Sequence, residues 1–93
     1  MGHRNPDYLA RVRSVGCVLC RHLYGIPDTP AAAHHLFDPS QRDDYLTAAL
    51  CQPHHQGPEG FHGLGGERPF RMRYKLGEVE LLALTLAALN AAS

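Results

Sequence analysis

A chain of 93 residues with 44% apolar residues and a formal net charge of zero is short enough for a single domain over residues 1–93 and apolar enough to fold, which excludes wholesale disorder. Charge neutrality argues against non-specific nucleic-acid binding through bulk charge alone. No apolar run reaches the roughly 20 residues a bilayer requires, and residues 1–6 lack the apolar stretch of a signal peptide, so a cytoplasmic protein that does not enter a membrane is expected.

In chain order, Asn5 is placed to cap a helix with Pro6 at its first position, running to about Ser14 and ended by Gly16. Tyr8, Leu9 and Val12 share one face of it. Cys17-Val-Leu-Cys20 follows at once, then a Gly- and Pro-containing loop over residues 25–30. Residues 31–37 read as a short strand, Asp38-Pro-Ser-Gln as a turn, and residues 45–50 as a second strand leading into Cys51. Together these predict a β-hairpin whose far end returns beside the first two cysteines. Gly57, Gly60, Gly63, Gly65 and Gly66 then interrupt the chain. Residues 67–75 predict a basic helix. Residues 78–92 predict a C-terminal amphipathic helix with Leu81, Leu82, Leu84, Leu86 and Leu89 on a broad apolar face, for packing on the core or for a dimer contact. The fold class expected is α+β.

Three cysteines cannot all pair within one chain, and in a reducing cytosol two cysteines separated by two residues read as metal ligands before they read as a disulfide. Cys17-x2-Cys20 and Cys51-x2-His54 are two pairs with the spacing that closes a tetrahedral zinc site. Four protein ligands leave no open position, so this zinc is structural, and its binding energy is folding energy that so small a domain needs. The alternative is that Cys51 is a small buried hydrophobe and the first pair is incidental.

Five of the seven histidines, His34, His35, His54, His55 and His62, fall in one short stretch. Adjacent strand residues point to opposite faces, so one imidazole of the His34-His35 pair can bind a metal while the other takes a different role, with a hydrogen-bonded structural pair as the alternative. His55 follows a zinc ligand directly. His62 lies seven residues further on, across glycines and Pro58 that make a continuous helix improbable, so a loop has to return it to the metal. A metal-dependent phosphodiesterase needs one group to hold an ion against the phosphate and another to take a proton from water, and histidine suits the second role because its pKa lies near working pH. Arg68, Arg71, Arg73 and Lys75, with Phe70 and Tyr74 among them, offer phosphate contacts beside stacking surfaces, or else a solvated helix face with its aromatics in the core.

Read together, Cys17-x2-Cys20, His34-His35 and Leu50-Cys51-x2-His54-His55 resemble the zinc-stapled branch of the His-Asn-His (HNH) endonuclease superfamily, whose core is a β-hairpin and a helix around one metal (ββα-metal). The glycine-rich continuation, His54-His55-Gln-Gly-Pro-Glu-Gly-Phe-His62-Gly-Leu-Gly, is similar to the phage and prophage recombination enhancement function (Ref) nucleases. The resemblance covers residues 16–74. It implies His34 as a metal ligand, His35 as the general base, and His55 and His62 as the remaining ligands of a catalytic Mg²⁺, Mn²⁺, Ni²⁺ or Zn²⁺. It also implies DNA as substrate, a bacterial or phage-infected host, and a recombinase filament as a candidate partner. The family's middle asparagine, which braces the loop behind the base, has no counterpart just before Cys51. Asp43 and Asp44 occupy that region, and an aspartate lacks the amide donor.

Two other functional classes fit parts of the pattern. A non-catalytic zinc module that docks on nucleic acid or protein needs only the cysteine-containing site. A structural or assembly protein uses the leucine-rich final helix to oligomerise.

Overall fold

The computed structural model describes residues 2–37, 40 and 42–92. Of the turn expected between the strands, Asp38, Pro39 and Gln41 lie outside the described residues. Among those described, the chain runs α1 (Pro6–Ser14), α2 (Val18–Tyr24), β1 (Ala32–His35), β2 (Thr47–Leu50), α3 (Gln52–His55), α4 (Glu67–Tyr74) and α5 (Glu78–Ala92), an α+β arrangement.

Local chemistry sets the element starts. The Asn5 side chain accepts the Tyr8 amide at 3.0 Å, and Pro6 stands in the first turn, where a missing N–H is no loss. Neither α2 nor α3 is among the elements the sequence predicts. α2 begins where Cys17 Sγ accepts the Cys20 amide at 3.4 Å and ends at Gly25, whose φ of 69° is left-handed. A thiol that caps its own helix sets Cys20 one turn on, on the same side, so the cysteine pair and the helix are one device.

β1 and β2 pair antiparallel, with His34 opposite Ala48 and His35 opposite Thr47. Both strands are shorter than predicted. One further bond joins the Leu36 amide to the Leu46 carbonyl at 2.9 Å, and then Phe37 turns away from the ladder with φ 65°. All four residues of β2 are buried, in contact with α1, α2 and α5. Val12, Val18, Leu19, Leu50, Phe70 and Leu81 form the heart of the core, and none is more than 1% exposed. Burying each such side chain contributes roughly 1.5–3 kcal/mol.

The leucine face expected on α5 is corrected in detail. Leu81, Thr85, Ala88 and Leu89 are buried, Leu82 and Leu84 are half-buried, and Leu86 is 43% exposed. Apolar residues surround this helix rather than forming one stripe, so counting leucines does not identify the buried side. Thr85 tolerates burial because its hydroxyl donates to the Leu81 carbonyl at 2.9 Å and accepts the Ala49 amide at 3.4 Å. No helix among the described residues is long and apolar enough to cross a membrane.

Candidate functional site

The four residues predicted to bind zinc meet in the interior. Cys17, Cys20, Cys51 and His54 are all buried, and their donor atoms lie within 4.8 Å of one another. Cys17 Sγ and Cys20 Sγ stand 3.7 and 3.5 Å from His54 Nδ1, Cys51 Sγ stands 3.2 Å from it, and Cys20 Sγ is 3.7 Å from Cys51 Sγ. Donors about 2.0–2.3 Å from a tetrahedral zinc are spaced by about 3.3–3.8 Å, so these edges are compatible with a zinc site. They are far too long for a disulfide, whose sulfurs sit about 2.05 Å apart. Burial pushes the Cys51 thiol up to about 12 and raises that of Cys20. Thiols packed this closely need a cation to become thiolates, and the donor set is compatible with structural zinc. The Tyr24 ring lies nearly parallel to that of His54 with centroids 6.3 Å apart, and Tyr74 meets it edge-on at 5.6 Å.

A second cluster comprises His34, His55 and His62, whose ligand nitrogens also fall within 4.8 Å of one another. Their ring centroids form a nearly equilateral triangle, with sides of 4.9, 5.2 and 4.8 Å. β1 supplies His34, α3 supplies His55, and the glycine-rich loop supplies His62. That loop folds tightly enough for the Phe61 amide to donate to the His54 carbonyl and the His62 amide to the His55 carbonyl, at 2.9 and 2.8 Å. Glycine is required where backbones meet: a Cβ on Gly60 would stand 2.6 Å from the Pro53 carbonyl oxygen, and one on Gly63 would overlap the Gly57 carbonyl. The return of His62 across seven residues is therefore built from the glycines that make a helix impossible. Phe61 packs on the back of His34 with centroids 4.4 Å apart.

His34 Nε2 is buried and has no hydrogen-bond partner among the described residues. Burial, reinforced by His55 and His62, lowers its pKa to about 3, so the ring is neutral across the physiological range. Burial also lowers that of His55, with His62 adding to the effect. Three imidazoles around one point, one of them with an orphaned nitrogen, have the chemistry of a divalent-metal site with open positions.

His34, His35, His55 and His62 line one open cleft of about 480 Å³, together with Ala33 and Arg42. Although His35 follows His34 on a strand, it does not join the triad: its Nε2 lies 2.9 Å from Asp44 Oδ1. Asp44 is 3% exposed. Its other oxygen accepts the Asn5 backbone N–H at 2.7 Å, its own amide donates to the His3 carbonyl at 2.8 Å, and the Thr47 hydroxyl donates to its carbonyl at 3.0 Å. The bonds from His35 and Asn5 hold its carboxyl below the usual carboxylate range. Asp43 pairs instead with His3, at 3.0 Å. Thus Asp44 contacts the His35 ring directly, a role that requires an acceptor and no amide donor.

The cations divide into two groups. None of Arg68, Arg71, Arg73 and Lys75 lines the cleft. Arg73 pairs with Glu59 at 2.9 Å, Arg71 faces Glu67 at 3.9 Å, and the Tyr74 hydroxyl donates to the Glu59 carbonyl at 2.6 Å, so part of α4 fastens the glycine-rich loop. Phe70 is wholly buried, which agrees with the alternative that places the aromatics of this helix in the core. Arg42, which sequence reasoning passes over, is exposed at the cleft and has no carboxylate partner among the described residues. Its signal is slight: a lone arginine in a turn, seven residues after His35.

No protein-family model matches this chain, and searches of curated proteins and of solved structures likewise return no match.

Proposed function

We propose that this chain is a metal-dependent endonuclease of the HNH type, hydrolysing phosphodiester bonds in DNA, with the cysteine-rich site holding a structural zinc. The observation that carries the reading is the orphaned Nε2 of buried His34, set among His55 and His62 in a cleft that His35 also lines. The order of hairpin, then a helix carrying His54 and His55, is compatible with a ββα-metal core. A zinc-binding docking module accounts for Cys17, Cys20, Cys51 and His54 but leaves the second cluster without a purpose.

His34, His55 and His62 would hold the catalytic ion. Bound there, a divalent ion supplies Lewis-acid polarisation of the phosphoryl group and charge stabilisation of the departing oxygen. His35 is the general base, its Nδ1 taking a proton from the attacking water. The water oxygen bonds to phosphorus as the bond to the 3′-oxygen breaks, and that oxygen leaves protonated from solvent. Arg42 contacts a non-bridging phosphate oxygen and helps to place the strand. Arg68 and Lys75, which have no carboxylate partner among the described residues, are available for backbone contacts further from the cleft.

The test is nicking of supercoiled plasmid and cleavage of single-stranded DNA with Mg²⁺, Mn²⁺, Ni²⁺ or Zn²⁺, run beside His35→Ala. Metal-dependent cutting that is lost in the variant is the expected result. Failure of the wild type to cut with every ion would leave the docking-module reading in its place.

A further inference from the structure

The bond between His35 and Asp44 decides more than where the ring points. A neutral imidazole carries one N–H and one lone pair, and its partner determines which nitrogen has which. Both oxygens of Asp44 are engaged, one by His35 Nε2 at 2.9 Å and the other by the Asn5 amide at 2.7 Å. An ionised carboxylate only accepts, so Nε2 must carry the proton. Nδ1 then keeps the lone pair. It has no hydrogen-bond partner among the described residues, on a ring that lines the cleft.

We propose that Asp44 is a positioning residue that selects the reactive tautomer of His35: anchored by the Asn5 N–H at the cap of α1, its carboxylate holds Nε2–H and leaves Nδ1 as the proton acceptor facing the cleft. The inference rests on the reading of His35 as the general base. It extends the site to the N-terminal segment. His3 accepts the Asp44 amide, Asn5 fixes the carboxylate, and the Asn5 side chain donates to the Tyr45 hydroxyl at 2.8 Å, so residues 3–5 hold the loop that holds the base. The asparagine expected from the HNH pattern would act on the loop backbone. Here a carboxylate acts on the imidazole itself.

Asp44→Asn separates orientation from tautomer. The Asn5 N–H still needs an acceptor, so the new amide oxygen stays on Asn5 and the NH₂ turns to His35. An NH₂ pairs only with an unprotonated Nε2, which moves the ring proton to Nδ1 and removes the base's lone pair from the cleft. The change is nearly isosteric, so packing is retained, and the loss resembles the wrong-tautomer effect of amide-for-carboxylate exchange in a serine-protease triad.

The experiment records long-range ¹H–¹⁵N correlations of His35 in zinc-loaded protein at mildly alkaline pH, for wild type and Asp44→Asn, together with kcat, KM and ions bound per chain. The wild type is expected to show the Nε2–H tautomer and the variant the Nδ1–H tautomer. The variant's kcat should fall by about 100-fold or more, the lower range for a general base, with KM and metal content retained. An Nδ1–H tautomer in the wild type overturns the proposal whether or not the variant folds. Near-wild-type kcat in Asp44→Asn also overturns it. The expected tautomers in a wild type that does not cut would strike the nuclease reading instead, and leave Asp44 as the group that sets the His35 proton.

Discussion

The rings of His34 and His55 meet edge to face with centroids 4.9 Å apart, and His34 Nε2 is buried there without a partner among the described residues. A buried, unpaired nitrogen destabilises a fold by about 1–3 kcal/mol. A metal ion held at the second site, as proposed above, would give that nitrogen a partner and account for its retention.

That relationship predicts a trade between stability and metal binding. With the cysteine-rich site loaded and no second ion added, His34→Leu is expected to unfold at higher denaturant than the wild type, by about 1–3 kcal/mol. The same variant should bind one ion per chain where the wild type binds two, as counted by native mass spectrometry. A less stable variant, or one that keeps two ions, would remove His34 from the metal site.

The pH dependence of the same pair of proteins carries a definite sign. His34 has a folded pKa of about 3 against an ordinary value of 6.5. The unfolded chain therefore binds the proton more readily, and the stability that depends on neutral His34 is present above pH 6.5 and lost as pH falls toward about 3. The stability difference between wild type and His34→Leu should widen in the variant's favour as pH drops below 6.5. A difference that stays flat through that window, followed by chemical denaturation, would contradict the assignment.

At the cysteine-rich site, binding is expected to release protons. An unperturbed thiol is already protonated at neutral pH, and burial raises those of Cys20 and Cys51 further, so both must lose a proton to act as ligands. Calorimetry in buffers of different ionisation enthalpy should register at least those two protons per zinc. Strong chelation or Cys51→Ser should unfold the chain, because a structural zinc contributes about 10–16 kcal/mol in small zinc domains. A chelated protein that keeps its thermal transition would show the site to be dispensable.

Arg42→Ala is expected to weaken binding of a short single-stranded oligonucleotide and to reduce the slope of log affinity against log salt by about 1. Second-ion binding should be unchanged. Fluorescence anisotropy across a salt series measures both quantities, and an unaltered slope would release Arg42 from phosphate contact.

On α5, Leu81→Ala should cost about 2–5 kcal/mol, while Leu86→Ala should fall within about 0.5 kcal/mol of the wild type. Urea midpoints distinguish this ordering from the one that leucine periodicity alone suggests.

What the sequence makes legible is what lies close together along it. Asn5 and Pro6 announce α1, and Cys17-x2-Cys20 with Cys51-x2-His54 announces a quartet that the structure gathers to within 4.8 Å. α2 is hidden because its cap is a cysteine thiol rather than a conventional Ser, Thr, Asp or Asn, and α3 because four residues carry no periodicity. The convergence of His62 on His34 and His55 depends on close backbone approaches at Gly60 and Gly63, which identify glycines as breaks but not their path. Arg42 reaches the cleft and Asp44 reaches the His35 ring from the segment before β2, outside the paired strands, where no strand periodicity announces either. The buried face of α5 is set by what β2 and α2 present to it, and this is how Thr85 displaces Leu86 from the interior.

The most direct test of the central claim is cleavage of an end-labelled single-stranded oligonucleotide by wild type, His35→Ala and His55→Ala, with ions per chain counted in the same preparations. The wild type is expected to bind two ions and to yield 3′-hydroxyl and 5′-phosphate ends. His35→Ala should bind two ions without cutting, and His55→Ala should bind one without cutting. A wild type that binds two ions and leaves the strand intact, or a His35→Ala variant that cuts at the wild-type rate, would contradict that claim.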